Sequence, residues 1–272
     1  MQTFFYWVNE RHRIYLNRQA GKPKPWSSDP IFQQYKFTNA FRQLDKGTEW
    51  LTNFIAPHLN EGAILLFNIA WYRLFNWTGT GDRVGWVEKW NKKQFQEILE
   101  KAFADDEQVF TGSHIIRGFK GQSKISSMCD VLGLLWDNLD ETYQRVAGNT
   151  LQNAFNEMLE YPLIGGFLGY EIVTDLRHTP MLENAPDIMT WANAGPGAMR
   201  GLGRIWPEIK FRHKQDACLK GMRELLEVSP QYLEPHVPKL EMRDIEHSLC
   251  ESDKYRRVRD DGGRCRNKYP GV

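Results

Sequence analysis

Ile64-Leu-Leu-Phe-Asn-Ile-Ala-Trp-Tyr-Arg-Leu-Phe75 is apolar on most of its faces, with only Asn68 and Arg73 interrupting it. A helical run that is hydrophobic nearly all round predicts a helix buried at the centre of a fold. Outward from it, Gly79-Thr-Gly-Asp82 breaks the pattern, and residues 86–103 restart it. On the other side Leu51, Phe54 and Ile55 form a further stripe, with Thr48 placed to cap its start. Ser28-Asp29-Pro30 offers a capping side chain with proline at the first helical position. Phe4, Phe5, Val8 and Tyr15 share one face of a first helix. Towards the C-terminus the same period predicts helices over 123–139, 149–159, 165–176, 198–206, 213–228 and 240–258.

Only residues 108–119, where Val109, Phe110, Ile115 and Ile116 stand among Gly and Thr, have strand character. The fold class is therefore all-α, with at most one short β-hairpin. There is no fixed-period repeat, low-complexity segment or clean linker, so residues 1–272 read as one helical domain with a basic C-terminal tail over 259–272. At 272 residues, with ten Trp and fifteen Phe, the chain can bury a large core without staples. No run approaches the roughly 18–20 apolar residues of a membrane span, and Met-Gln-Thr-Phe-Phe-Tyr-Trp7 lacks the basic region of a secretory signal. Four scattered cysteines with no Cys-x-x-Cys pair give neither a disulfide framework nor a zinc knuckle. His247, Cys250 and Cys265 lack a fourth ligand nearby, so no metal site is expected. The chain reads as reduced and cytoplasmic, with no membrane partner.

The net charge is only +1, yet seven basic residues against two acidic ones crowd into 254–268. That block, with Lys254, Arg256 and Arg257 at its start, is either a phosphate-facing surface or a solvated tail. A second anion signal is Trp191-Ala-Asn-Ala-Gly-Pro-Gly-Ala-Met-Arg-Gly-Leu-Gly-Arg204. Gly195 and Gly197 let the backbone approach an anion, the first helical amides aim at it, and Arg200 and Arg204 follow one turn apart. The plainer reading is a helix-to-helix connection.

Glu171 and Asp175 stand four apart in Gly165-Gly-Phe-Leu-Gly-Tyr-Glu-Ile-Val-Thr-Asp175, a helix otherwise apolar or small. A buried carboxylate there is either a general base, Asp175 first, or the partner of Arg177, Arg200 or another arginine. Near the N-terminus, Arg42 is a fork for a carboxylate or pyrophosphate, or simply pairs with Asp45 one turn on. Asp29 and Asn39 belong to the same block, and Trp26 offers a stacking surface for a base or a core ring. There is no phosphate-binding Gly-x-x-x-x-Gly-Lys-Ser/Thr loop, no zinc-deaminase signature and no Gly-x-Ser-x-Gly elbow.

Several stretches together resemble the helical domain that bacteriophages use in thymine hypermodification. These are Gly21-Lys-Pro-Lys-Pro-Trp-Ser-Ser-Asp-Pro-Ile31 with Arg13 before it, Tyr35-Lys-Phe-Thr-Asn-Ala-Phe-Arg-Gln-Leu-Asp45, Gly195-Pro-Gly-Ala-Met-Arg-Gly-Leu202, and Arg243-Asp-Ile-Glu-His-Ser-Leu-Cys-Glu251 with Asp253-Lys-Tyr255. The family groups the helical domains of 5-hydroxymethyluracil DNA kinases, the amino acid:DNA transferases and the glutamyl/putrescinyl-thymine pyrophosphorylases. The resemblance implies a DNA-glycosylase-like fold whose hairpin resembles Gly195-Pro-Gly197, and double-stranded phage DNA with modified pyrimidines as partner in the cytoplasm of the infected host. It also implies displacement of pyrophosphate from 5-pyrophosphoryloxymethyluracil by the amine of an amino acid or polyamine. No organic cofactor is called for, and Mg2+ is an optional match for the pyrophosphate charge. Glu246 and His247 are the next candidates after Asp175 for handling the amine, or else anchor the last helix. A glycosylase would place its essential Asp near Asp216, which falls in the polar run Arg212-His-Lys-Gln-Asp216 and reads as surface. The remaining alternatives are that glycosylase and a non-catalytic module presenting DNA to a kinase.

Overall fold

A computed structural model describes residues 1–265, 268 and 269. Among them there are thirteen α-helices and no sheet; the one extended pairing is an isolated antiparallel bridge between Tyr35 and Lys268. The chain forms two compact units, one of Lys46–Asp187 and one of Met1–Asp45 with Ile188–Val272. The crossings at 45–46 and 187–188 carry no extended linker, which is why the sequence reads as one domain.

In the discontinuous unit the helices are α1 (Gln2–Gln19), α2 (Pro30–Gln34), α11 (Pro196–Ile205), α12 (Gln215–Val228) and α13 (Met242–Asp261). The other four all pack on α13. Its start is fixed by a reciprocal capping box between Glu241 and Asp244, and its end by Gly262 in the left-handed region at φ 64°. Met242, Ile245 and Leu249 are fully buried along it. Phe32 stacks on Tyr255 of α13 at 5.2 Å and meets Phe37 edge-on at the same distance, while Trp7 closes on Phe37 at 6.2 Å. Each such ring taken out of water contributes roughly 1.5–3 kcal/mol.

The continuous unit is built round α4 (Ala63–Phe75), buried from Leu65 to Phe75 as its composition predicts. Its polar residues are satisfied internally. Asn68 donates to the Ile64 and Val87 carbonyls and accepts from Val87 N and Trp71 Nε1. Around α4 lie α3 (Lys46–Ile55), α5 (Thr78–Val84), α7 (Lys124–Asp137), α8 (Leu139–Val146) and α10 (Gly166–Leu176), with α6 (Lys92–Ala104) on α7 and α9 (Leu151–Leu159) on α10.

Three local expectations are corrected. Thr48 is buried inside α3 and caps nothing. Gly79-Thr-Gly-Asp82 is helical, and its glycine at 81 answers to packing and not to a turn, since Trp50 presses on α5 there, an added Cβ lying 2.1 Å from its ring. Residues 108–119 form no hairpin, since Thr111 N donates to Phe75 O and Val109 O accepts from Thr80, so neighbouring helices engage the backbone.

Candidate functional site

The loop after α2 is tied to the middle of α13 through Thr38. Its N–H donates to Glu251 Oε2 at 3.2 Å and its hydroxyl lies 2.8 Å from His247 Nε2, so one residue bridges two side chains one turn apart. Next to it, Asn39 closes the loop by donating from its backbone and side-chain nitrogens to Asp45 Oδ1 at 3.0 and 2.9 Å, and to Leu44 O. Arg42 opens the short turn between them. Arg11, on α1 and 5% exposed, reaches the same loop through Nε to Phe37 O at 3.1 Å. Burial pulls its guanidinium below the usual value, and the nearby Asp45 carboxylate pushes it back up. Arg11 Nη1 and Asn39 Oδ1 are both buried without a partner. Buried polar atoms in proteins are almost always bonded, so each of these unmatched atoms is open to water or a polar ligand.

At the start of α11, Gly195 is the N-cap and Pro196 the first helical residue. Gly195 N–H donates to Glu246 Oε1 at 3.1 Å. Asp253, fully enclosed, accepts from Arg200 Nε at 2.9 Å and Arg204 Nε at 2.7 Å, and Arg204 also holds Asp261. The anions met by this Gly-rich turn and its arginines are thus carboxylates of α13. Gly197 and Gly201 form the seam between the helices: a Cβ at Gly197 would lie 2.3 Å from Cys250 Sγ, and one at Gly201 2.5 Å from Leu249 O.

Asp29 caps α2 through Ile31 N–H at 2.8 Å and accepts from the phenols of Tyr6 (3.0 Å) and Tyr255 (2.7 Å). Burial, reinforced by that carboxylate, raises both phenols well above their ordinary value. In the same unit lies a cavity of about 310 Å3, lined by Trp26, Tyr269, Lys24, Gln33 and the buried Ile14 and Phe32.

The basic block is only partly a free surface. Lys254 pairs with Glu251, Arg256 with Asp260, and Arg259 also with Asp260. Arg257 is half-buried, Arg264 and Lys268 are exposed, and Arg266 lies outside the described residues, as do 267 and 270–272 of the tail. Burial pushes the Cys250 thiol up to about 12. Asp216 is exposed on the first turn of α12.

Asp175 belongs to the continuous unit. There Arg73 of α4 grips it with two hydrogen bonds of 2.6 Å and reaches Glu171 at 3.3 Å, all three being buried. Arg73, which the sequence reading did not name as their partner, is an arginine partner of these carboxylates. Thr38, Glu251, Asp253, Arg11 and Tyr269 escaped the sequence reading. Arg11 lies in Asn9-Glu-Arg-His12, four consecutive polar residues that look solvent-facing yet are all buried. The signal that could have found Asp253 is its place three residues before Arg256, in the block that carries the resemblance.

The model of one family, described as 5-hmdU DNA kinase, helical domain, matches residues 1–263. A 5-hmdU DNA kinase of Bacillus phage SP10 is 27% identical over 285 aligned residues, covering 92% of this chain and 44% of that protein, so the chain spans less than half the length of this curated relative. No solved structure matches.

Proposed function

We propose, from the fact that this chain belongs to the family of 5-hmdU DNA kinase helical domains, that it works on phage DNA in thymine hypermodification as a pyrophosphate-displacing transferase. The observation that carries the reading is the junction at Thr38. There the N-terminal block and the α13 block, 209 residues apart, meet on His247 and Glu251. A helical scaffold that only presents DNA has no need of a histidine and a buried guanidinium with one unmatched nitrogen beside one loop.

In the proposed reaction the donor ammonium gives one proton to His247. The freed lone pair forms the C–N bond at the exocyclic methylene carbon of the base. The C–O bond breaks, and pyrophosphate leaves with its electron pair, giving a secondary ammonium on the thymine. Arg11 and Arg42 supply planar donors that match the leaving pyrophosphate, and a divalent cation such as Mg2+ would neutralise the same charge. Glu246, fastened to Gly195, holds α11 against the site. Asp175, in its Arg73 fork, anchors α10 to α4, which leaves His247 as the proton acceptor. The base must leave the stack to expose its methylene, which requires a clamp on neighbouring phosphates.

The test is mass spectrometry of nucleosides digested from DNA carrying 5-pyrophosphoryloxymethyluracil after incubation with the protein, amino acids and polyamines. An adduct heavier than thymidine supports the transferase and identifies its donor. Release of free base would instead establish a glycosylase, and unchanged but tightly bound DNA a non-catalytic module. His247→Gln is expected to lower turnover by roughly 10²–10⁴-fold with DNA binding retained; unaltered turnover removes His247 from the mechanism.

A further inference from the structure

Cations on α13 are largely matched by acids of the same helix, whereas those round the Trp26 cavity are not. Arg18, Lys24 and Lys36 are exposed and make no ion pair among the described residues. They lie on aromatic faces instead: Arg18 is 5.2 Å from the Trp26 centroid, Lys24 is 5.2 Å from Trp26 and 4.8 Å from Tyr269, and Lys36 is 5.5 Å from Tyr269. The two rings meet at 6.1 Å and 66°, an open corner and not a closed stack. Trp26 is fixed by donating Nε1–H to Lys22 O at 2.7 Å, and Tyr269 by its N–H to Gln34 O at 3.1 Å. The floor is apolar, with Ile14 and Phe32 in it, and no carboxylate lines the cavity among the described residues.

We infer that this corner is a subsite for one unpaired nucleotide of a DNA strand, its base stacked on Trp26 with Tyr269 against its edge and its flanking phosphates on Arg18, Lys24 and Lys36. The volume, at the small end for ligand cavities, suits a single base. A flat π-surface accepts any base, and uncompensated cations at its rim select a strand carrying phosphates over a neutral aromatic. The inference rests on the DNA-modifying reading and deepens it by assigning the place where strand separation is stabilised.

The experiment is fluorescence titration of an oligonucleotide containing 2-aminopurine, single-stranded and in duplex, with the full chain and with Trp26→Leu, Tyr269→Ala and Lys24→Gln. The expected result is quenching and tighter binding of the single strand. Trp26→Leu should abolish the quenching and weaken binding roughly five- to a hundredfold. Lys24→Gln, an exposed change that leaves the fold alone, should lower the slope of log K against log salt by about 0.7. If all three variants bind and quench like the unaltered chain, the subsite is overturned while the DNA reading stands. If the unaltered chain binds no DNA in either form, both fall.

Discussion

Asp253 has no exposed surface, and two arginines of a neighbouring helix share its carboxylate. Removing one partner of such a group leaves charge uncompensated, at a cost well beyond that of a surface pair. Asp253→Asn is expected to destabilise the protein by about 3 kcal/mol, read as a lower urea midpoint at unchanged m-value; a change under ~0.5 kcal/mol would show the pairing to be dispensable. Asp260 works differently, being held down at about 2 mainly by the Arg259 hydrogen bond, with Arg256 adding to it. A depressed carboxylate stabilises the fold above its unfolded value near 3.8, and that contribution is lost as pH falls towards 2. Amide protection factors in the last turn of α13 should therefore fall between pH 4 and pH 2, and Asp260→Asn should remove that pH step. At this scale the sequence nominated His247 and Glu246, because a resemblance marked them. It hid Arg11, whose burial depends on a loop that only the folded chain brings to it.

Among the elements, α11 separates two roles that glycine plays in one short helix. Gly201 lies where an added methyl would meet the backbone oxygen of Leu249, and Gly203 where it would meet nothing within 4 Å. Gly201→Ala should destabilise by about 1–3 kcal/mol despite better helix propensity, while Gly203→Ala should stabilise by about 0.5–1 kcal/mol. Thermal denaturation of the pair checks both signs, and equal shifts would mean that the seam yields. The glycines and arginines of this helix were legible as an anion-seeking pattern. Nothing in the spacing told that Glu246 and Asp253 of α13 would be anions they meet. Helix periods were read well where apolar faces were wide, as in α4. They failed at α5 and α8, where short length and a glycine pressed by Trp50 obscure the pattern.

For the molecule as a whole, the absence of a phosphate-binding loop predicts that the chain incubated with ATP and 5-hydroxymethyluracil DNA transfers no phosphoryl group; incorporation of label from the γ-phosphate would contradict this. The all-α class and the central place of residues 64–75 could be read from hydrophobic period alone. The division into two units could not, because it is made by two short crossings with no compositional mark. One arrangement has a consequence for biosynthesis. The contacts of α4 lie within one continuous stretch, so that unit can condense as soon as it has emerged from the ribosome. Helix α1 emerges earlier still, yet Tyr232, which stacks on Phe5 at 4.8 Å, and α13, which packs on α1, are translated after the entire inserted unit. Phe32 and Phe37 can reach Trp7 early, whereas Phe5 of nascent α1 stays uncovered until Tyr232 has followed the inserted unit out of the ribosome, an exposure that favours a chaperone or a transient cover.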